Sequence, residues 1–313
     1  MKGIFAHRSV FFQSGVLLTT LLIGYFIASF LMVALFSLLG SPLTLPVMEQ
    51  PVSLLLLTQF ISAVCMFLFP AIGTAWLCSE EPYEFLYVKS FHIDIRLLLL
   101  VAVSMFLISP TVSITGYLNS LITFPEWMSP VEEWMKSTEE LASQLTYKML
   151  SQKGILALLA NLMVVAIAAG ITEEFFFRGA LFSILRKSIR NHHVVIWTVA
   201  IIFSLFHFQF YGFIPRILLG AYMGYLLYWT KNIWVPVFAH FLNNGMAVIG
   251  MSNNSLQENA FFAETLPAED LTWFSIVAVV CLIVFFFCVR MIRQIRQVDQ
   301  QENISQNNSE VGE

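Results

Sequence analysis

The chain carries little charge. Only 12% of its 313 residues are Asp, Glu, Lys or Arg, whereas a soluble domain averages about 25%. The hydrophobic fraction is 58%, and the net charge of −4 is too slight to indicate a nucleic-acid partner. This composition is typical of an integral membrane protein.

Cysteine is also scarce. The four cysteines lie inside apolar runs and none forms a CxxC pair: Cys65, Cys78, Cys281 and Cys288. Because paired spacings are the usual mark of disulfide frameworks and thiolate zinc sites, the sequence predicts neither.

Long apolar runs fill most of the chain. A helix needs about 20 apolar residues to cross a bilayer, and eight stretches qualify: 14–39, 52–78, 96–118, 155–184, 194–210, 213–230, 232–250 and 271–290. The first stretch is longer than the apolar region of a cleaved signal peptide. The sequence therefore predicts an all-α fold, a polytopic membrane helix bundle of about eight transmembrane helices.

Basic residues are distributed unevenly over the connecting segments. With a cytoplasmic N-terminus, eleven basic residues face the cytoplasm and four face outward, the latter being Lys136, Lys148, Lys153 and Arg216. Cytoplasmic loops of membrane proteins are enriched in Lys and Arg. Both termini are therefore expected in the cytoplasm, and a bacterial plasma membrane is the expected location.

Four regions follow from this pattern. Residues 1–149 hold three membrane helices and an amphipathic surface helix at about 119–149. Residues 150–250 form a second membrane core. An acidic loop and the last membrane helix occupy 251–293, and the polar tail 294–313 has the composition of a disordered segment.

A few titratable groups lie at membrane depth. They are Glu173, Glu174, Arg178, His207 and His240. A charge at the centre of a membrane helix costs about 2.5–3.5 kcal/mol on insertion scales. Such groups are therefore candidates for a functional site.

Helical spacing divides these groups between different faces. Residues four apart share a face, so Glu174 is expected to pair with Arg178, whereas Glu173 is turned about 100° away. His240 and Asn244 share a face by the same rule, as do Phe203 and His207.

Two chemistries suit this set. A carboxylate and an imidazole can deprotonate a water for attack on a carbonyl, while a second imidazole and an amide stabilise the oxyanion. Alternatively, Glu173, His207 and His240 could bind zinc, since two His and one Glu form a known catalytic zinc set. The HExxH motif of metalloproteases is absent, and spacing alone leaves both chemistries open.

Three short stretches resemble the motifs of one family. "EEFFFR", "FSLFH" and "HFLNN" fit EExxxR, FxxxH and HxxxN, in order and on separate membrane segments. This pattern resembles the CPBP family of intramembrane proteases, which includes CAAX proteases and bacteriocin-processing enzymes and is also called the Abi family. The similarity extends over about 150–250, which would make this region the catalytic core.

The resemblance implies a role for each matching residue. Glu173 would be the catalytic glutamate and His207 would act with it on the water. His240 and Asn244 would hold the oxyanion. Glu174, Arg178 and Phe203 would support them, and the substrate would be a membrane-associated peptide or protein. The family is commonly labelled metalloprotease, although a metal-free glutamate mechanism is also proposed for some members, so zinc stays an alternative.

Two other classes of function compete with proteolysis. A proton-coupled transporter also buries Glu, His and Arg, but inverted repeats with broken helices are not visible in the sequence. A non-catalytic bacteriocin-immunity or scaffold protein would be indicated by loss of a motif residue, and all four catalytic candidates are present.

Overall fold

The computed structural model describes residues 2–40, 46–88, 93–253 and 271–310, with side chains described up to residue 295. Ten helices run through these ranges, and no strand occurs in them. In chain order they are α1 (Val10–Leu38), α2 (Val52–Cys78), α3 (Pro82–Phe85), α4 (Ile95–Ser120), α5 (Ser129–Leu150), α6 (Ile155–Arg186), α7 (His192–Leu205), α8 (Phe213–Thr230), α9 (Trp234–Ser252) and α10 (Leu271–Glu310).

The all-α fold class is confirmed, and a helix lies at each of the eight predicted membrane stretches. Five of these helices are long and apolar enough to cross a membrane: α1, α2, α4, α6 and the Leu271–Ile295 part of α10. Helix α7 is a shorter apolar helix. Helix α8 packs against α7, α9 and α4, and both α7 and α9 pack against α6, so these three helices form the inner part of the bundle.

The surface of the bundle is apolar and part of its interior is polar. Phe11, Phe26 and Phe30 on α1 are exposed, as are Phe286 and Phe287 on α10. In contrast, Glu174 and Arg178 on α6 are fully buried. Exposed rings and buried ionisable groups are the arrangement expected when hydrocarbon surrounds the protein.

Three boundaries differ from those predicted. Helix α7 ends at Leu205 rather than continuing to 210, because Phe208 has a left-handed backbone (φ 52°) that a helix cannot accommodate. The amphipathic helix begins at Ser129 rather than at about 119, and the residues up to Ser120 belong to α4. The backbone from 294 to Glu310 is helical rather than disordered, and no Pro or Gly interrupts α10 before Gly312. Most of the predicted acidic loop, at 254–270, lies outside the described residues.

Helix α1 packs closely against α2 at a glycine. A Cβ added to Gly24 would lie 1.9 Å from the carbonyl oxygen of Cys65, a backbone atom that cannot move aside alone. Gly15, on the same helix, is exposed and has nothing within 4 Å of such a Cβ.

We therefore expect Gly24→Ala to destabilise the protein by at least about 1–3 kcal/mol, the usual cost of overpacking. Gly15→Ala should be neutral or stabilising by up to about 1 kcal/mol, because alanine favours helix. Thermal unfolding in detergent compares the two variants. Equal melting temperatures for both would contradict the close packing of α1 and α2.

Candidate active site

Two π-helical turns flank the pair of glutamates on α6. The helix is π-helical at Leu162–Ala168 and again at Phe175–Leu181, and the six residues between them include Glu173 and Glu174. Such π turns are often found at functional sites because they redirect side chains and loosen the regular hydrogen-bond ladder.

Glu174 and Arg178 form the predicted ion pair. Arg178 Nη1 donates to Glu174 Oε1 at 2.8 Å, and both side chains are fully buried. Arg178 Nη2 also donates to the Gly220 carbonyl of α8 at 2.9 Å, and the guanidinium carbon lies 4.5 Å from the centre of the Phe203 ring. The pair therefore joins α6 to α7 and α8.

Glu174 has a further partner that helical spacing did not predict. His240 Nδ1 of α9 lies 2.8 Å from Glu174 Oε1, and His240 is buried. Because this contact joins residues 66 positions apart, only the tertiary packing of α6 against α9 reveals it. One carboxylate oxygen thus fixes both Arg178 and the ring of His240.

Glu173 faces the two histidines. Its Oε2 lies 3.9 Å from His207 Nε2 and 3.8 Å from His240 Nε2. Oε2 is buried and has no hydrogen-bond partner among the residues with described side chains. The structure therefore brings together three of the predicted site residues around one unpartnered carboxylate oxygen.

Hydrogen bonds fix the orientation of both imidazole rings. His207 Nδ1 lies 2.9 Å from the Phe203 carbonyl oxygen, which can only accept, so Nδ1 carries a hydrogen. His240 Nδ1 likewise donates to Glu174 Oε1, an oxygen that already accepts from Arg178. In each neutral ring Nε2 is then a lone-pair acceptor directed towards Glu173, whereas in an imidazolium Nε2 becomes a donor.

His207 lies in the turn after α7 rather than within that helix. Asn119, at the end of α4, holds this turn: its Nδ2 donates to the Phe210 carbonyl at 2.8 Å, and its Oδ1 accepts from the Ile214 N–H at 2.9 Å. Asn119 was not among the predicted site residues. A polar residue at the end of an apolar helix was the only sequence signal for it.

Asn244 is placed beside a π turn of α6. Its Nδ2 donates to the Val165 carbonyl at 2.9 Å, and its Oδ1 accepts from Asn243 at 3.1 Å. The residue shares the α9 helix with His240, as predicted. Its two hydrogen bonds go to these neighbours and not to the Glu173 carboxylate.

The donor chemistry of the three side chains is that of a zinc site, but their spacing is not. In zinc sites the second nitrogen of a ligating histidine donates to a carbonyl or carboxylate, as it does in His207 and His240. Ligands of tetrahedral zinc lie about 3.3 Å apart, given metal–ligand distances near 2.0–2.1 Å. The observed 3.8 and 3.9 Å are longer, and no group of three or more His, Cys, Asp or Glu residues within the described ranges has the spacing of metal ligands.

An apolar cavity adjoins the His207 turn. It has a volume of about 390 Å³ and is lined by Trp134, Leu205, Phe206, Phe208 and Phe210. Trp134 belongs to the amphipathic helix α5, and its ring packs 5.3 Å from that of Phe210. Helix α5 therefore lies against the turn that carries His207.

The fold and the site define a helical membrane protein with a buried glutamate–histidine centre, and comparisons with known proteins point to the same family as the three motifs. Residues 155–246 match the family model described as type II CAAX prenyl endopeptidase Rce1-like. The resemblance to the CPBP family, which the three motifs indicated, is thereby confirmed for this segment.

Two bacterial relatives each match a part of this chain. The membrane-embedded CAAX protease MroQ of Staphylococcus aureus (strain USA300) is 34% identical over 91 residues, which are 27% of this chain and 36% of the relative. The uncharacterized protein YpbD of Bacillus subtilis (strain 168) is 28% identical over 116 residues, 36% of this chain and 54% of the relative. The matches thus span about a third to a half of these relatives. No solved structure shows a significant match.

Proposed function

We propose that this protein is an intramembrane endopeptidase that hydrolyses a peptide bond of a membrane-associated peptide or protein. The observation that carries this proposal is the unpartnered Glu173 Oε2, buried between the Nε2 atoms of His207 and His240. Support also comes from the family match at 155–246 and from the relative whose name describes a membrane-embedded protease.

In this mechanism Glu173 is the general base. A water between the three side chains donates one hydrogen to Glu173 Oε2 and the other to His207 Nε2, which turns an oxygen lone pair towards the substrate carbonyl. As the water oxygen bonds to the carbonyl carbon, Glu173 takes the proton. Glu173 then passes this proton to the leaving nitrogen when the carbon–nitrogen bond breaks. Products are a carboxyl end and an amine end.

His240 stabilises the oxyanion in its imidazolium form. It lies between the carboxylates of Glu174 and Glu173, and Nε2–H of the imidazolium donates to the developing negative charge. Asn244 donates one Nδ2 hydrogen to the Val165 carbonyl, and its second Nδ2 hydrogen is the one that donates to the oxyanion. Glu174 and Arg178 hold His240 in position through the shared oxygen of Glu174.

A zinc-assisted form of the same reaction is the second candidate. The two histidine tautomers favour it, because both Nε2 lone pairs face Glu173. Glu173, His207 and His240 would be the ligands, and the metal would supply acidification of a bound water. The side chains would first have to approach one another by about 0.5 Å, the difference from the spacing in tetrahedral zinc. Metal analysis of the purified protein separates this form from the metal-free one.

The experiment compares peptides released from membranes of cells that express the parent chain or Glu173→Gln at equal levels. We expect a set of fragments that disappears with Glu173→Gln and falls about 100-fold with His207→Ala, the lower end of general acid–base contributions. His193→Ala is the matched control, because His193 contacts Tyr225 rather than Glu173. Identical fragments from parent and Glu173→Gln would favour a non-catalytic immunity or scaffold role instead.

We also propose that both termini face the cytoplasm of a bacterial plasma membrane. Lys187 bonds Gln13 and the Cys78 carbonyl, so the start of α1 and the ends of α2 and α6 share one end of the bundle. Lys148 bonds the carbonyls of Met48 and Gln50 near the opposite end. Reporter domains fused to each terminus test the orientation, and a reporter that is active only outside the cell would contradict it.

A further inference from the structure

Arg216 is a cation beside the proposed site that no carboxylate neutralises directly. It is half-buried in the first turn of α8, and no Asp or Glu forms an ion pair with it in the part of the chain whose side chains are described. Its charge lies within electrostatic reach of Glu173, His207 and Glu139. In contrast, the fully buried Arg178 forms an ion pair with Glu174.

The guanidinium group is held in place by one residue. Arg216 Nη2 donates to Gln209 Oε1 at 2.8 Å, and Nη1 donates to the Gln209 carbonyl at 3.1 Å. A guanidinium has five N–H donors, so three are left without a hydrogen-bond partner among the described residues. The group packs over Gly212, where an added Cβ would lie 2.9 Å from Nη2. The turn that carries His207 thus also orients Arg216.

The location of this charge is unfavourable for the helix itself. Helix N-termini carry partial positive charge, so a cation in the first turn is opposed by the helix dipole. Nearby Glu139 of α5 accepts a hydrogen bond from the Tyr211 N–H at 3.2 Å rather than from Arg216. An anion that bound here would gain from the guanidinium and from the helix end together.

We propose that Arg216, oriented by Gln209, is a specificity-determining residue that binds a carboxylate of the substrate close to the scissile bond. This proposal rests on the proposed function and names the class of its substrates: apolar peptides that carry an acidic group, which is either a C-terminal carboxylate or an Asp or Glu side chain. A planar guanidinium binds a carboxylate through two parallel hydrogen bonds, and the adjoining apolar cavity at Trp134 and Phe208 suits neighbouring apolar side chains.

Affinity selection on purified protein tests the proposal without needing turnover. Short apolar peptides are prepared in matched pairs, with Glu or Gln at one position and with a free or amidated C-terminus. They are offered to the Glu173→Gln protein, and bound peptides are identified by mass spectrometry. The protein is then compared with Glu173→Gln variants that also carry Arg216→Gln or Arg216→Lys.

We expect the carboxylate member of a pair to be retained about tenfold more than its neutral counterpart, as a hydrogen bond to a charged group provides. Arg216→Gln should abolish this preference, and Arg216→Lys should keep part of it, because the charge remains while the paired donors are lost. Whether the terminal or the side-chain pair shows the preference identifies the source of the carboxylate.

Equal retention of charged and neutral peptides, retention of no peptide, or a preference that survives Arg216→Gln would overturn the proposal. A purely structural role for Arg216 in holding Gln209 would lower the melting temperature of Arg216→Gln without any charge preference. Loss of fragments from cells tests hydrolysis separately, so a failure of the proposed function is distinguishable from a failure of carboxylate binding.

Discussion

Replacing Glu173 with glutamine is expected to lower the rate of peptide cleavage by about 10³-fold or more, within the range of general acid–base contributions. Glutamine has nearly the same shape as glutamate, but its amide cannot accept a proton from water at neutral pH. Because Glu173 Oε2 makes no hydrogen bond to a described side chain, the substitution breaks no hydrogen bond of that oxygen. The melting temperature should be unchanged or higher, since a buried carboxylate oxygen without a hydrogen bond is itself costly.

The rate measurement uses purified protein in liposomes and a substrate fragment identified from cells. Glu173→Asp is the matched variant, because it keeps the carboxylate but moves it away from the histidines. It should retain more activity than Glu173→Gln and less than the parent. Full activity in Glu173→Gln would show that another group activates the water.

Arg178→Met is expected to destabilise the protein by about 3–5 kcal/mol, the cost of removing one partner of a buried ion pair. The substitution leaves the fully buried Glu174 carboxylate without its cation and the Gly220 carbonyl without its donor. It also removes the guanidinium that packs on Phe203. Methionine fills much of the same volume, so the loss reflects the unpaired charge more than a cavity.

A second substitution separates charge from packing. In Arg178→Met with Glu174→Gln neither charge of the buried pair remains, while the glutamine oxygen can still accept from His240 Nδ1. We expect this double variant to recover more than half of the stability lost in Arg178→Met, as buried ion pairs replaced by neutral groups often cost little. Thermal unfolding in detergent measures both variants. A double variant no more stable than Arg178→Met would show that the charges are not the reason for the loss.

The spacing of residues along the sequence was sufficient to predict part of the site. The pairing of Glu174 with Arg178 follows from four-residue periodicity, which survives the π turn that contains Arg178. The sequence predicted Glu173, His207 and His240 as members of one site, and these side chains lie together, at 3.8 and 3.9 Å from Glu173 Oε2. Apolar run lengths also located the helices, because a bilayer fixes how long such runs must be.

Tertiary contacts account for the features of the site that could not be predicted from the sequence. The bond from His240 to Glu174 and the bonds from Asn119 to the His207 turn depend on packing between distant segments. The bond from Arg216 to Gln209 depends on the conformation of the turn between α7 and α8. The end of α7 at Leu205 depends on the left-handed backbone of Phe208, which no apolar periodicity reveals. The bond from Asn244 to Val165 requires the carbonyl of a π turn.

Hydrolysis by a Glu173-activated water is the central claim, and cleavage in heavy-oxygen water tests it most directly. Purified protein in liposomes is given its substrate in water labelled with the heavy oxygen isotope, and the masses of both product ends are measured. The account predicts one heavy oxygen atom in each new carboxyl end, none in the amine end, and no labelled product from Glu173→Gln. Labelled product from Glu173→Gln at the parent's rate would contradict the account.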